Sequence, residues 1–280
     1  MQICRTVEEI KNFVQQERLA GKNIGLVPTM GYFHEGHLQL MKTAKKNCQT
    51  VVVSIFVNPI QFCPGEDFEQ YPRNLQRDCQ MAETVGVEAV FCPVAEEMYP
   101  QGFTTYIDFD SLTNCLCGKS RPGHFRGVAT VVTKLFHIVW PDKAFFGQKD
   151  AQQLMIIRRM AEDLNMPVEI HGVPIVREAD GLAMSSRNAY LTPLQRQKAP
   201  VLYQGLQAAA EAVKQGERSA AKVIQVVAHT IASVPEAQVE YIEIRDLDLQ
   251  SVEILTGTVL LALAVRFNQT RLIDNMILEV

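Results

Sequence analysis

Short, almost continuous apolar runs alternate with segments of helical periodicity over the first two thirds of the chain. Five apolar runs predict strands buried on both faces, at 24–27, 51–57, 88–92, 144–146 and 168–171. Apolar residues recur at helical spacing at 75–85, 128–139 and 150–164, and a helix of about ten residues fits between the first two strands. This alternation predicts an α/β fold with a Rossmann-like, doubly wound parallel sheet.

The pattern changes after about residue 176. A long helical pattern runs from Thr192 to Ala212, and a second one covers 219–232. Strand patterns then follow at 239–245, 259–265 and 271–278. Two helices followed by adjacent strands predict a smaller α+β domain at the C-terminus. We therefore expect one domain over 1–176 and a second over 177–280, with a hinge near 178–181.

The composition is that of an ordinary globular protein and excludes several partners. Of the 280 residues, 47% are hydrophobic and 21% are charged, so there is ample apolar material for a core. The net charge of −4 and the lack of a Lys/Arg run argue against a nucleic-acid partner. No apolar run approaches the roughly 20 residues of a membrane span, so we expect no membrane association.

The N-terminus and the cysteines indicate the cytoplasm. Residues 1–16 are charged and of helical character, without the apolar segment of a signal peptide. The seven cysteines are scattered, and Cys115 and Cys117 are too close together, and lack the partners, to form a zinc knuckle. We expect reduced and mostly buried thiols.

The turn at residues 28–37, PTMGYFHEGH, is the most specific candidate site. It joins a predicted strand to a helix, whose first turn offers N–H groups and the positive end of its dipole to an anion. His34 and His37 share one helix face, and Gly36 leaves no side chain in the way of a bound phosphate. A pair of surface histidines is the alternative, but the flanking strand and turn favour phosphate.

Two weaker candidates follow the second strand. Gln61, after Pro59 in the sequence NPIQF, offers the donors and acceptors that suit a substrate with hydroxyl and carboxylate groups. A loop capped by its own side chains is the more frequent origin of such a glutamine. The acidic and aromatic loop at 66–73 is of a kind that covers sites, with a solvated surface loop as the alternative.

Positive charge is densest at residues 118–127, GKSRPGHFRG. Its glycines allow backbone N–H groups to approach an anion whose charge the cations compensate. A phosphate or carboxylate site and a merely basic turn are equally compatible with this segment. Its ionisable cations are Lys119, Arg121, His124 and Arg126.

A second strand, glycine and helix start occurs at Gly147, Gln148, Lys149 and Asp150. Lys149 is expected at the mouth of the site as a mobile charge for phosphate, whereas Asp150 can simply cap the following helix. Gln153 lies three residues beyond Asp150 and shares its helix face.

The segment Met184-Ser185-Ser186-Arg187 is the last candidate. Two hydroxyls and a guanidinium on a loop suit a triphosphate, with Arg187 forking onto phosphate oxygens. A common surface triplet is the alternative for this segment alone. There is no glycine-rich GK[ST] loop, so an ATP site here is not a P-loop.

These motifs, in order and spacing, resemble the pantothenate synthetase family, the pantoate–β-alanine ligases of coenzyme A biosynthesis within the HIGH-type nucleotidyltransferase superfamily. The resemblance runs from about residue 20 to the end. It departs mildly at Phe33, where leucine is usual, and at Cys63 and Asn268, where glycine is usual; asparagine tolerates a left-handed backbone. The matching motifs are PTMGYFHEGH, NPIQF, EDFEQYPR, RPGHFRGV, FGQKD, MSSRN and TRLIDN (270–275).

The resemblance implies a ligase reaction in two steps. The pantoate carboxylate attacks the α-phosphate of Mg-ATP, giving a pantoyl adenylate and pyrophosphate, and the β-alanine amine then displaces AMP to form pantothenate. No protein carboxylate cluster marks a metal cage, so Mg²⁺ is expected on the phosphates of ATP. The resemblance also implies a homodimer formed through the N-terminal domain.

The resemblance assigns roles to the candidate residues. His34 and His37 contact phosphates, with His37 as proton donor, and Lys149 stabilises the transition state. Domain 1–176 binds ATP and pantoate, and 177–280 closes as a lid with Arg187. Gln61 and Gln153 hold pantoate, Gln61 also meeting β-alanine. The implied ATP contacts are Met30, Gly31, Tyr32, Phe33, His34, Glu35, Gly36, His37, Gly147, Gln148, Lys149, Asp150, the backbone of Val176, Met184, Ser185, Ser186 and Arg187.

Two alternatives differ from this ligase. An adenylyl-transferring enzyme of the same fold that makes a dinucleotide would lack the pair Gln61 and Gln153. A non-enzymatic ATP-binding module would leave the cluster of cations and histidines unexplained.

Overall fold

The computed structural model describes residues 1–280, whose nine strands form two sheets. A parallel six-stranded sheet has the order β1-β4-β3-β2-β5-β6, and an antiparallel sheet has the order β7-β8-β9. The predicted α/β class with a smaller α+β part is confirmed. The strands are β1 (Gln2–Cys4), β2 (Ile24–Thr29), β3 (Thr50–Ile55), β4 (Ala89–Phe91), β5 (Lys143–Gly147), β6 (Glu169–Val173), β7 (Ala237–Arg245), β8 (Thr258–Phe267) and β9 (Thr270–Glu279).

Ten helices accompany these strands, and no helix is both long and apolar enough to cross a membrane. Helix α3 has the bounds that the sequence pattern predicts, because an Asn74 cap precedes it and the left-handed Gly86 ends it. The helices are α1 (Val7–Leu19), α2 (Glu35–Asn47), α3 (Leu75–Val85), α4 (Ala95–Met98), α5 (Leu116–Ser120), α6 (His124–Val139), α7 (Ala151–Asp163), α8 (Pro193–Lys198), α9 (Val201–Lys214) and α10 (Ala220–Ala232).

The order of the parallel sheet places a topological switch beside β2. The chain continues from β2 to β3 and β4 on one side, whereas β5 and β6 lie on the other side of β2. In open parallel sheets, such a reversal leaves a crevice beyond the carboxyl ends of the two central strands. The loops after Thr29 and Gly147 start at those ends, so the fold brings the histidine turn and the Gly147 turn to one edge of the sheet.

One face of the antiparallel sheet packs against two helices, and the central strand β8 is buried on both faces. Alternate side chains of a strand point to opposite faces, and the odd positions of β8 from Val259 to Phe267 are fully or almost fully buried. They pack with helices α9 and α10 in a single core, to which Leu202, Leu206 and Val227 also belong. This packing explains the change in pattern seen after residue 176.

The chain divides into two compact units that are not continuous in sequence. The first comprises Met1–Ser111, Arg121–Gln148 and Ile156–Pro174. The second comprises Leu112–Ser120, Lys149–Met155 and Ile175–Val280. Two short stretches that precede residue 156 therefore belong to the unit that contains the antiparallel sheet.

Two local predictions are wrong. The first residues form β1 before α1 begins, with Thr6 and Glu9 making a capping box at its start. The long helix expected from Thr192 is interrupted at Pro200, whose ring nitrogen cannot donate the helical hydrogen bond.

Helix α6 ends at the only tryptophan of the chain. Trp140 has a left-handed backbone (φ 46°), and it is 66% exposed. Its carbonyl oxygen accepts a hydrogen bond from the Arg18 guanidinium. The backbone at this position is thus tied down while the indole lies in solvent.

Candidate active site

His34 and His37 cap helix α2 and hold each other in place. The Gly36 N–H donates to His34 Nδ1 (3.1 Å), and the His34 N–H donates to His37 Nδ1 (3.3 Å). The ring centroids are 4.1 Å apart. A ring nitrogen that accepts a hydrogen bond has no proton, so each neutral imidazole keeps its proton on Nε2. Both rings therefore have an Nε2–H donor at a helix N-terminus, where anions are stabilised.

Asp78, on helix α3, holds the turn that precedes these histidines. Its two carboxylate oxygens accept the N–H groups of Tyr32 and Phe33, each at 2.7 Å. Burial raises the pKa of the Asp78 carboxyl, and the two backbone hydrogen bonds oppose that rise. Gly31 and Tyr32 are both left-handed (φ 82° and 52°), and a Cβ at Gly31 would lie 2.9 Å from Asp78 Oδ2. Position 31 thus requires glycine.

The three departures from the usual family residues fit the structure. Phe33 is 1% exposed, and its ring centroid lies 5.3 Å from that of His37, so its ring packs beside the site. Asn268 is left-handed (φ 53°) in the turn between β8 and β9, as expected where glycine is common. Cys63 has no left-handed backbone, and its thiol lies 3.4 Å from the Pro122 carbonyl oxygen.

Gln61 is fixed within the first unit by two partners. Its Oε1 accepts from Asn58 Nδ2 (2.9 Å), and its Nε2 donates to the Met30 sulfur (3.3 Å). Asn58 in turn donates to the Gly127 carbonyl (3.1 Å). A Cβ at Gly127 would lie 2.6 Å from Gln61 Cα, so only glycine lets α6 approach this turn so closely. The histidine turn and Gln61 are thus brought together through Met30.

The basic segment supports the Gln61 turn from the opposite side. His124 Nδ1 lies 2.8 Å from the Gln61 carbonyl oxygen, and its Nε2 lies 2.9 Å from an Arg121 guanidinium nitrogen. A guanidinium only donates, so His124 Nε2 accepts and its Nδ1–H donates to Gln61. Glu66 accepts two Arg121 hydrogen bonds, both 2.6 Å. Arg121 and His124 therefore support the Gln61 turn, and a phosphate or carboxylate role for this segment stays a prediction.

The second glycine turn ends β5. Gly147 is followed by a 3-10 turn, Gln148–Asp150, that leads into α7. A Cβ at Gly147 would meet no other atom within 4 Å, so packing within the protein does not require glycine there. Lys149 Nζ lies 3.6 Å from Asp150 Oδ2, and the Lys149 side chain is 20% exposed. A partly shielded ammonium of this kind suits a phosphate ligand.

Residues 176–184 form a short hairpin in the second unit. The Met184 N–H donates to the Val176 carbonyl (3.0 Å), and the backbones of Arg177 and Ala183 pair in an isolated antiparallel β-bridge. Gly181 is left-handed (φ 94°) near its tip, and a Cβ there would overlap the Tyr203 ring. Residues 178–181, where a hinge is predicted, lie in this hydrogen-bonded turn, and the hinge itself stays a prediction.

The hairpin leads into the Ser-Ser-Arg segment. Ser185 caps a 3-10 turn, Ser186–Tyr190, by accepting the Arg187 N–H on its hydroxyl oxygen (3.3 Å). Ser186 is buried, and Arg187 is half-buried. The backbone of Arg187 is thus fixed relative to Val176 within one unit.

The candidate residues fall into two groups by unit. Met30 to His37, Gln61, Gly147 and Gln148 belong to the first unit. Lys149, Asp150, Gln153, Val176 and Met184 to Arg187 belong to the second unit. Gln153 lies half-buried near the start of α7, whereas its neighbour Gln152 is buried and bonded to the 112–118 segment.

Three residues that hold the site escape a prediction from sequence. Asn58 fixes Gln61, Asp78 fixes the histidine turn, and Asn275 donates to the Lys149 carbonyl (2.9 Å). Asn58 and Asn275 lie inside the motifs NPIQF and TRLIDN, and that is the signal that could have identified them. Asp78 lies in an ordinary amphipathic helix, and nothing around it indicates its role.

A parallel sheet with a capped histidine pair beyond β2 and a glycine turn beyond β5 is typical of an α/β enzyme that binds a nucleotide. The profile of the Pantoate-beta-alanine ligase family matches residues 2–277. The chain belongs to this family, and its activity is the ATP-dependent ligation of pantoate and β-alanine. The predicted family and reaction are therefore confirmed.

Relatives match along their whole length. Pantothenate synthetase of Pelotomaculum thermopropionicum is 59% identical over 279 residues, 99% of each chain. The crystal structure of pantothenate synthetase from Thermus thermophilus superposes with a TM-score of 0.94 at 46% identity, covering 99% of each chain. The pantoate-beta-alanine ligase of Francisella tularensis, solved with βγ ATP and β-alanine, gives a TM-score of 0.81 at 33% identity, covering 99% of this chain and 97% of that one.

Proposed function

We propose that the enzyme forms pantothenate through a pantoyl adenylate, with Mg-ATP as the activating substrate. In the first step a pantoate carboxylate oxygen bonds to the α-phosphorus, and the bond to the pyrophosphate oxygen breaks. In the second step the β-alanine amine attacks the acyl carbon, AMP leaves with the bonding electrons, and the nitrogen loses a proton. The ATP and β-alanine in the Francisella tularensis relative support both substrates for this chain.

The reciprocal cap of His34 and His37 is the observation that carries the proposed roles. It keeps the proton of each neutral ring on Nε2, so both rings can donate hydrogen bonds to phosphate oxygens, and the His37 Nε2–H is proposed to stabilise the charge of the leaving pyrophosphate in this way. Lys149 and Arg187 supply positive charge where it is needed when an anion attacks a polyphosphate. Preorganised charges of this kind stabilise the transition state more than the substrates.

Gln61 and Gln153 are proposed to hold pantoate. The Gln61 amide uses one of its two donors on Met30 and one of its acceptor sites on Asn58. One donor and one acceptor site remain by this count, which suits a hydroxy acid and also the β-alanine amine.

The other proposed contacts concern ATP. Gly147, Gln148, Lys149 and Asp150 bind the ribose and α-phosphate region, and the backbone of Val176 contacts adenine. Met184, Ser185, Ser186 and Arg187 clamp the triphosphate, with residues 177–280 acting as a lid that protects the water-sensitive adenylate. No group of three or more His, Cys, Asp or Glu side chains could hold a metal ion, so Mg²⁺ is proposed to bind through the phosphates.

A homodimer and a cytoplasmic location complete the proposal. The dimer rests on the family resemblance, and sedimentation equilibrium tests it directly. Six of the seven free thiols are buried, which suits a reducing compartment.

Pantoate-dependent exchange of labelled pyrophosphate into ATP, with β-alanine omitted, tests the first step. We expect exchange by the wild-type chain, and a loss on the order of 10²-fold or more in kcat for His37→Ala and Lys149→Ala. His137→Ala, which removes an exposed histidine of α6, is the matched control and keeps full activity. If the wild-type chain shows no pyrophosphate exchange, and forms no AMP when β-alanine is added, the adenylate route is contradicted. Full activity of His37→Ala or of Lys149→Ala contradicts the role proposed for that residue.

A further inference from the structure

Strand β9 has polar residues on both faces where apolar ones are expected. Leu272 and Leu278 lie on the face that packs against α9 and α10, and Asp274 lies between them on that face. Asn275 points to the opposite face. Asp274 and Asn275 are 2% and 3% exposed, so both are buried polar side chains. Burial of such groups is unfavourable without hydrogen-bond partners, and the partners show which segments each side chain holds in place.

Asn275 bonds to the backbone of a proposed catalytic residue. Its Nδ2 donates to the Lys149 carbonyl oxygen at 2.9 Å. This oxygen lies in the 3-10 turn between β5 and α7. A hydrogen bond from a buried strand therefore fixes the position from which the Lys149 side chain extends.

Asp274 is connected through Arg177 to the hairpin of residues 176–184, the second segment proposed to bind ATP. The Arg177 guanidinium donates to both Asp274 oxygens (2.6 and 2.9 Å) and to the Gly181 carbonyl (3.1 Å). It also lies 3.9 Å from the centre of the Tyr203 ring. Arg177 thus joins the first arm and the tip of the hairpin that contains Val176 to β9.

The ion pair is poorly explained by stability alone. Burial raises the pKa of the Asp274 carboxyl, while Arg177 and, to a smaller extent, Lys149 oppose that rise. A buried ion pair rarely stabilises a fold more than well-packed apolar residues of similar volume, and Asp274 lies between Leu272 and Met276 on its face of β9. Its retention here is best explained by the geometry it imposes on the hairpin.

We propose that Asp274 and Asn275 are positioning residues for ATP activation: Asn275 holds Lys149, and Asp274 holds, through Arg177, the hairpin that bears Val176 and leads to Ser185–Arg187. The inference rests on the proposed roles of Lys149 and of this hairpin. Two adjacent residues of one strand thereby fix the two segments of the second unit proposed to bind ATP.

A double-mutant cycle tests the proposed positioning of Lys149 by Asn275. Asn275→Ala lowers kcat of pyrophosphate exchange about tenfold or more, because a small displacement of Lys149 weakens its action in the transition state. In a Lys149→Ala background the same change has less than a twofold effect, since the side chain that Asn275 positions is gone. Asn275→Asp, which keeps the shape but loses the donor, behaves like Asn275→Ala. Thr270→Val, at another buried polar position of β9, leaves kcat unchanged.

The proposed role of Asp274 predicts a change in KM for ATP rather than in kcat. Asp274→Asn raises KM for ATP about tenfold with a smaller change in kcat, because it loosens a binding segment rather than Lys149. Glu240→Gln is the matched control, since it weakens the partly buried pair of Glu240 with Arg271 on the same sheet. It lowers the melting temperature but leaves KM for ATP unchanged.

The outcomes separate this inference from the proposed mechanism. A wild-type chain without exchange activity contradicts both. Wild-type exchange that Lys149→Ala lowers on the order of 10²-fold but Asn275→Ala leaves unchanged contradicts only the positioning role. Equal and additive losses in both backgrounds, matched by the loss in melting temperature, assign Asn275 to stability and overturn the inference.

Discussion

Asp78 shows how one side chain can determine the shape of a ligand turn. The turn contains two consecutive left-handed residues, Gly31 and Tyr32, and the second is not glycine. A left-handed non-glycine residue costs on the order of 1 kcal/mol, so the turn needs outside support. The two hydrogen bonds to Asp78 supply it, and they aim the start of α2 at the edge of the sheet.

We expect Asp78→Asn to reduce pyrophosphate exchange by about 10²-fold, with the fold retained. The amide offers one acceptor where the carboxylate offers two, so either the Tyr32 or the Phe33 N–H is left facing an NH₂ group. Steady-state exchange kinetics and circular dichroism measure the two effects. Glu83→Gln, on the exposed side of the same helix, is the control, and similar rates for both variants would rule out this role of Asp78.

Glu66 provides a pH-dependent contribution to stability. Burial pushes the pKa of its carboxyl upwards, but the hydrogen bonds and charge of Arg121 outweigh burial, and the pKa lies below its ordinary value of 4.5. A lowered carboxyl pKa stabilises the fold above the unfolded value, and this stabilisation is lost as pH falls through the folded value.

Glu66→Gln should therefore lower the free energy of unfolding at pH 7 by about 1–2 kcal/mol, the scale of charge-assisted hydrogen bonds. The difference from wild type should shrink as pH falls below 4.5 and disappear below the lowered pKa. Urea unfolding at a series of pH values measures it. Glu69→Gln, in the same loop but exposed, should show no such trend, and a pH-independent loss for Glu66→Gln would refute the linkage.

At the scale of elements, helix α2 begins with a residue that has two functions. His34 is the N-cap, a position where Ser, Thr, Asn and Asp are usual, and its ring accepts the Gly36 N–H as those side chains do. The same ring is proposed to bind phosphate. A helix start and a ligand contact are thus combined in one imidazole.

Two substitutions separate these functions. His34→Ala removes both, so it should lower stability by about 1 kcal/mol and reduce exchange activity. His34→Asn restores a good cap, so stability should return towards wild type while exchange remains low. Thermal unfolding and exchange rates, measured on both variants, decide the matter. Recovery of activity with asparagine would mean that His34 acts only as a cap.

The elements also show which features a sequence can predict. Helix α3 and the histidine turn are local, since their caps and glycines lie within the segment itself. Strand β1 escapes prediction because it has three residues, one of them buried, and depends on pairing with β4. The roles of Asp78 and Asn275 follow from contacts with residues 45 and 126 positions away, which no local pattern encodes.

At the scale of the whole molecule, the chain passes between its units more than once. Leu112–Ser120 belongs to the second unit, where Leu116 is 1% exposed and Arg271 bonds to Ser120 (3.2 Å). Lys149–Met155 also belongs to the second unit, in which Asn275 donates a hydrogen bond to the Lys149 carbonyl oxygen. The two units are therefore not independent lengths of sequence.

A chain that ends at Pro174 should fold poorly, although it contains the whole parallel sheet. It exposes Leu116 and leaves the Lys149 turn without Asn275. We expect a melting temperature lower by roughly 10 °C or more and stronger binding of a hydrophobic dye than by the full chain. A cooperative transition at the temperature of the full chain would show that the first unit is self-sufficient.

Trp140 has a consequence for spectroscopy. The only indole of the molecule is already in water in the native state, at the end of α6 in the first unit. Its emission should therefore change little on unfolding, and it gives no direct signal from the second unit. Tyr203→Trp would place a second indole against the hairpin that contains Val176, and its emission would report on the second unit, which Trp140 does not probe.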